Sequence, residues 1–301
     1  MSATHIEWAQ AVWNPTTGCD RISPGCRNCY AITMARRLKA MGAAKYHTDG
    51  DVATSGPGFG VAFHADALEI PLRWRTPRRV FVNSMSDLFH RQVADVHIAA
   101  MFAVMAAARQ HDFLVLTKRA GRMRSLLHSS RFRALIADKY RNLHGARHTN
   151  NVGLRWPLAN VWLGVSAENQ TWADIRIPAL LDTPAALRWV SAEPLLGPID
   201  LRQSLAKWTP DERQPWDGNR LAARQVLNWV VAGGESGPQA RPMHIDWARS
   251  LRDQCHSAGI AFFFKQAGSV LARQWGSRGK GSTPAGWRER FPRQYPQAVA
   301  R

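Results

Sequence analysis

The chain has little cysteine, little tyrosine, comparatively little acid and no long apolar run. Four cysteines in 301 residues are too few and too clustered for the disulfide framework of a small secreted domain. No apolar run follows Met1, so no secretory signal is expected. The longest apolar stretch, Ile98–Ala108, is too short to span a bilayer. These absences predict a cytoplasmic protein with no membrane partner. Core-forming residues are not scarce. A hydrophobic content of 45%, with 13 Trp and 11 Phe, excludes disorder as the main state and suffices for one large domain or two small ones. Acid is outnumbered, with 22 Asp and Glu against 40 Lys and Arg and a formal charge of +18. That balance favours a polyanionic partner, because each cation that meets a phosphate releases condensed counterions. An inert basic surface is the plain alternative.

Short apolar runs recur at Val80–Asn83, Phe113–Thr117, Val161–Ser166, Leu187–Ala192, Leu227–Gly233 and Ala261–Lys265, and a first strand is expected near Val12–Asn14. The six runs are apolar almost throughout, as strands buried on both faces should be. Amphipathic stretches lie between them at Val93–Arg109, Arg122–Ala137 and Asp246–Ala258, and another helical or loop segment is expected at Asp174–Leu181. Alternation of this kind predicts an α/β fold with a parallel sheet and right-handed crossovers. A partial or complete TIM-like (β/α) barrel is preferred to an open sheet, because polar residues follow the strands in series. They are Asn83–Asp87, Thr117-Lys118, Ser166-Ala167-Glu168, Ser191-Ala192-Glu193, Gly233–Ser236 and Lys265-Gln266. In a barrel these ends share one rim, where chemistry is placed; singly, each reads as a turn cap or a rim salt bridge. Residues 1–268 read as the barrel body, interrupted by loop insertions at 142–158 and 203–224. The tail, 269–301, is Gly-rich and basic, and reads as a flexible arm on a phosphate backbone or as a solvated end.

Three of the cysteines form the pattern Cys19-x6-Cys26-x2-Cys29, with Pro24-Gly25 supplying a tight turn before Cys26. Three thiols on one loop point to a metal. A 4Fe–4S cluster can be held by three cysteines with one iron left open. Zinc would need a fourth ligand, such as His5, His47 or Cys255, and unmetallated thiols are the third possibility. Cys255 lies at helical spacing with Leu251 and Ala258, and reads as small-hydrophobe packing before it reads as a reactive thiol.

The segment Trp13-Asn14-Pro15, the three-Cys loop, Phe81–His90, Leu114–Arg119, Trp162–Ser166 and Val231–Gly237 together resemble the phage Gp37/Gp68 family of three-Cys-motif proteins, from Ile6 to about Pro292. That family in turn resembles a divergent branch of radical S-adenosylmethionine (SAM) enzymes, with spore photoproduct lyase as the nearest functional analogy. The resemblance implies a 4Fe–4S cluster on Cys19, Cys26 and Cys29, with SAM on the open iron. It implies Asp87 and Glu235 at the SAM amine, Lys118 at its carboxylate, and Ser166 with Glu168 at the ribose. Ser84, Ser191, Glu193, Gly233 and Gly234 complete the expected cofactor contacts. Cys255 stands as a hydrogen-atom donor only by analogy with dimer-repair enzymes. A reductant such as flavodoxin or ferredoxin and a three-Cys-motif partner protein are further implications. Two features depart from the usual pattern: six residues, in place of three, separate the first two cysteines, and the Gly-Gly-Glu at Gly233–Glu235 follows a late strand.

The strongest local signal for nucleic acid is Arg73-Trp74-Arg75 with Arg78 and Arg79, where a ring flanked by cations could stack on bases; a solvated turn before a strand is the competing reading. Lys265, ending the last strand, could meet phosphate or pair with Glu235. Spore-photoproduct-lyase-like repair of pyrimidine dimers in DNA is the most concrete function expected. Its rivals are a non-catalytic, metal-stabilised nucleic-acid-binding protein and a radical enzyme that modifies a protein or small molecule.

Overall fold

Short runs buried on both faces need cover from helices above and side chains below, and the chain supplies both. The structure, a computed structural model, describes residues 4, 6–144, 154–202, 226–277 and 291–297. The expected insertion at 203–224 lies outside these residues, as do residues 145–153 of the other. Strands β1 (Ala11–Trp13), β2 (Arg79–Val82), β3 (Asp112–Thr117), β4 (Val161–Ser166), β5 (Leu187–Ala192), β6 (Trp229–Gly233) and β7 (Ala261–Gln266) form one sheet. Every strand pairs parallel with its neighbour in chain order, so β1 and β7 are the two edges. Sequential parallel order with helical crossovers is the geometry of a TIM-like barrel left open, and the sheet curls into a half-barrel.

Helices α1 (Tyr30–Ala40), α2 (Asp95–Ala107), α3 (Ala120–His128), α4 (Ser130–His144), α5 (Gln170–Leu181), α6 (Ile245–Ser257) and α7 (Ser269–Gln274) connect or follow the strands. The stretch Arg122–Ala137, expected as one helix, is two, because Ser129 turns to an extended backbone between α3 and α4. The expected amphipathicity of Val93–Arg109 also needs correcting. Helix α2 is buried without interruption from Met101 to Ala106, since α4 packs over the side that would otherwise meet water.

Alternate residues of each strand face opposite ways, and the two faces are built differently. Val80, Val82, Phe113, Val115, Leu163, Val165, Val190, Val230, Phe262 and Phe264 meet the helices. Phe81, Leu114, Trp162, Trp189, Trp229, Val231 and Phe263 face the concave side, where Trp8 joins them. Gly164 makes this possible, because a Cβ there would sit 2.4 Å from the Trp189 indole. Trp8 meets Phe81 and Trp189 edge-on, with ring centroids 4.8 and 5.2 Å apart. These rings plug the amino-terminal floor of the half-barrel.

The end of the expected tail is no free arm. Arg293 bridges Phe263 antiparallel at the β7 edge, and Gln294 accepts at its backbone O from Trp229 Nε1 at 2.9 Å. Arg293 pairs with Glu7 at 2.7 Å, and the Tyr295 hydroxyl donates to Glu7 O. Residues 291–297 therefore strap β7 to the amino-terminal segment. Arg278, Lys280, Arg288 and Arg290 of the tail lie outside the described residues.

Candidate functional site

The carboxyl ends of the strands, on the same inward-facing positions as the floor aromatics, carry Lys118, Ser166, Ser191, Gly233 and Lys265. Across this mouth runs the cysteine loop, which leaves the sheet after β1. Two-residue strands, Thr16–Thr17 and Ala62–Phe63, pair antiparallel beside it. Gly18 opens the loop at φ +87 with its Cα against Gly60, where a Cβ would come within 2.0 Å of a carbonyl oxygen, so only glycine fits. Cys26 ends a single 3-10 turn at Pro24–Cys26, and Cys29 is the N-cap of α1.

All three thiols are half-buried and unoxidised. Two have a hydrogen-bonding neighbour: Arg119 Nη1 donates to Cys19 Sγ at 3.3 Å, and Ser23 Oγ lies 3.8 Å from Cys26 Sγ; Cys29 stands at the N-cap of α1 without a side-chain cap hydrogen bond. Burial, reinforced by the Asp87 carboxylate, pushes the Cys19 thiol up to about 12. Burial also raises Cys29, against the pull of the α1 backbone at Ala31 and Ile32 and of Lys118. Among the described residues no three His, Cys, Asp or Glu side chains are gathered at ligating distance.

The expected SAM-contacting acids are all at the mouth, and each already has partners. Asp87 Oδ1 accepts from Thr117 Oγ1 at 2.7 Å and Phe89 N at 3.0 Å, and Oδ2 from Lys118 N at 2.9 Å and Arg119 Nη1 at 3.2 Å. Glu168 Oε1 accepts from Gly25 N at 3.0 Å, and Oε2 from Arg176 Nη1 at 3.0 Å. Glu235 Oε2 accepts from Asn28 Nδ2 at 2.9 Å and from Arg241 N and Nε, and Oε1 from Arg241 Nη2 at 2.5 Å. Glu193 pairs with Lys265 Nζ at 2.9 Å and accepts from Ser191 Oγ at 3.2 Å; Lys265 thus meets Glu193, not the expected Glu235. Ser84 exchanges hydrogen bonds with Asn14 and accepts at its backbone O from the Tyr30 hydroxyl. Gly233 leaves room for Glu193, whose Oε1 would stand 2.7 Å from a Cβ, and Gly234 packs its backbone on Ala267.

Other expected residues lie elsewhere. Cys255 is fully buried on α6 among the residues of the helix-covered face, so it is neither a ligand beside Cys26 nor a hydrogen donor at the mouth. Burial raises its thiol to about 12. His47 is exposed, and His5 lies outside the described residues. The cluster Arg73–Arg79 precedes or begins β2, at the floor. Trp74 is half-buried against the core, with Arg78 5.6 Å over its ring, while Arg79 lies 4.1 Å over Tyr295. Arg73 and Arg75 are exposed.

Sequence reasoning missed Arg119, Arg176, Arg241, Asn28 and the buried His90, whose Nε2 lies 2.9 Å from Asp20 Oδ2. One signal was available: Arg176 falls on the apolar face of α5 with Ala173, Ile177 and Leu180. A cation at a core position demands a buried partner.

The chain matches, over residues 3–296, the model of a family described as a protein of unknown function, DUF5131, and it belongs to that family. No curated protein matches it in sequence. A solved structure of spore photoproduct lyase complexed with dinucleoside spore photoproduct is similar at 11% identity and TM-score 0.39, covering 87% of this chain and 78% of that one. A mutant of that lyase with the same dinucleoside gives 12% and 0.40 over the same shares. The half-barrel assignment rests on this chain's own strand order. Among the described residues no helix is long and apolar enough to cross a membrane.

Proposed function

We propose that this DUF5131 member is an iron–sulfur enzyme of radical SAM type acting on nucleic acid, most concretely in repair of pyrimidine dimers in DNA. The observation that carries the reading is a three-thiol loop across the mouth of a parallel half-barrel, with Arg119 donating to Cys19 and the Ser23 hydroxyl beside Cys26. That donor set fits a cluster held by Cys19, Cys26 and Cys29, since hydrogen bonds to the sulfurs are among the levers that set its potential. The resemblance of its motifs to the phage Gp37/Gp68 family adds support. With a 4Fe–4S cluster and SAM bound, the chemistry supplied is one-electron cleavage of SAM to a 5′-deoxyadenosyl radical, drawing on a flavodoxin or ferredoxin.

The chain's own share is binding, orientation and exclusion of water. Ser84, Lys118, Ser166, Ser191, Glu193, Gly233 and Gly234 are the proposed SAM contacts. Asp87 and Glu235, whose oxygens are already engaged, hold Arg119 against Cys19 and Asn28 in the loop. The +18 charge supports a DNA partner, and the exposed Arg27 and Arg91 beside the loop are phosphate contacts in this reading. A three-Cys-motif protein is the proposed further partner.

Anaerobic reconstitution with iron and sulfide is expected to give brown protein with about four irons per chain that releases 5′-deoxyadenosine from SAM on reduction. Alanine at position 19, 26 or 29 should abolish the chromophore, and Cys255→Ala should keep it. Stoichiometric zinc without iron uptake would defeat the proposal in favour of a metal-stabilised binding protein. A working cluster with equal affinity for ultraviolet-irradiated and undamaged DNA would remove dimer repair and favour a protein or small-molecule substrate.

A further inference from the structure

We infer that Glu168 is a positioning residue that latches the cysteine loop to the end of β4; the inference rests on the cluster reading above. Glu168 is 0% exposed and Arg176 1%, and an ion pair taken wholly out of water often adds no stability over an apolar pair of the same volume, so what its geometry holds in place matters. Arg176 is not well satisfied on its own account. Nη1 serves Ser166 O at 2.8 Å and Glu168 Oε2, the guanidinium lies 4.1 Å over Trp172, and among the described residues its buried Nε and Nη2 meet no acceptor. Among the same residues its ion pair is with Glu168, at 3.0 Å. The other oxygen of Glu168 takes the N–H of Gly25, the residue before Cys26. Gly25 lets the carboxylate approach the backbone: a Cβ there would lie 3.1 Å from Glu168 Cδ. With both oxygens engaged, Glu168 acts through the loop rather than on the ribose that its place after β4 suggested.

Two variants separate a latch from a core ion pair. Glu168→Asp draws the carboxylate back by about 1.5 Å, one C–C bond, from both partners; the long Arg176 side chain can follow the charge, whereas the backbone N–H of Gly25 cannot without moving the loop. Arg176→Lys keeps a cation and leaves Glu168 able to reach the loop. In cluster-free protein, Glu168→Asp is expected to speed amide exchange over residues 19–29, whereas Arg176→Lys leaves it near wild type while lowering the melting temperature. In reconstituted protein, Glu168→Asp should lose its visible absorption to a chelator about tenfold faster or more, and Arg176→Lys should not. Unchanged exchange and unchanged absorption loss in Glu168→Asp would overturn the latch. So would effects that merely follow the fall in melting temperature across both variants. If wild-type protein binds no iron, the cluster reading fails, and the exchange measurement still decides whether Glu168 holds the loop.

Discussion

Along β4 and β5 the inward-facing positions change from Trp162 and Trp189 at the floor to Ser166 and Ser191 at the mouth, with Ser166 and Ser191 in register. Along β6 and β7 the change is from Trp229 and Phe263 to Gly233 and Lys265. The same strands thus hold a dry aromatic plug at one end and a set of paired charges at the other. Rings interlocked edge to face exclude water and are insensitive to pH. Carboxylates clamped by arginines hold neighbouring groups at fixed positions, and they lose that grip if either partner changes charge. The concave side is dry at the floor and concentrates its polar chemistry at the mouth.

Truncation at the floor should have the largest effect. Trp229 is fully buried against Trp162, Trp189, Phe263 and Tyr295, so Trp229→Ala is expected to cost about 3–5 kcal/mol of unfolding free energy, read from urea titration. A loss below about 1 kcal/mol would mean that the plug is not what secures the sheet.

A smaller effect separates the two ends by DNA affinity. Replacing Arg27 and Arg91 at the mouth with alanine should reduce the slope of log affinity against log salt by about 2, one for each phosphate no longer neutralised. The same change at Arg73 and Arg75 on the floor should leave the slope unaltered. The reverse result would move the nucleic-acid face to the floor.

The smallest expected effect concerns acid. Burial raises the Glu235 carboxyl, but hydrogen bonds from Arg241 and Asn28 outweigh it and hold the group below its ordinary value of 4.5. A carboxylate depressed on folding contributes stability above its unfolded pKa and loses it as pH falls through the lower folded value. The stability difference between wild type and Glu235→Gln should therefore be constant from neutral pH to about 5 and shrink below about 4.5. A difference that persists unchanged at pH 2 would show that Arg241 holds Glu235 by shape, not charge.

The sheet was legible where burial on both faces writes a continuous apolar run: β4 and β5 fall at the residues expected, Val161–Ser166 and Leu187–Ala192. Legibility failed where tertiary contact overrides local pattern. The apolar spacing of Arg122–Ala137 runs on past Ser129, and nothing in it marks the turn between α3 and α4. The strap at Arg293–Tyr295 carries no strand alternation, because it gains its place from one edge of β7 and from Glu7 at the far end of the chain. At the mouth, the acids could be read from their places after strands. Their partners could not, since Gly25 and Arg241 reach Glu168 and Glu235 through folding of segments distant or irregular in sequence.

The strap also sets when the molecule can come into being. Tyr295 and Glu7 touch across a separation of 288 residues, and Trp229 at the heart of the plug bonds Gln294. On a ribosome these contacts must wait until residue 295 has emerged, so until then the nascent chain carries an unsealed sheet edge and an unfinished aromatic floor. Chains dominated by such distant pairings fold slowly and expose sticky intermediates.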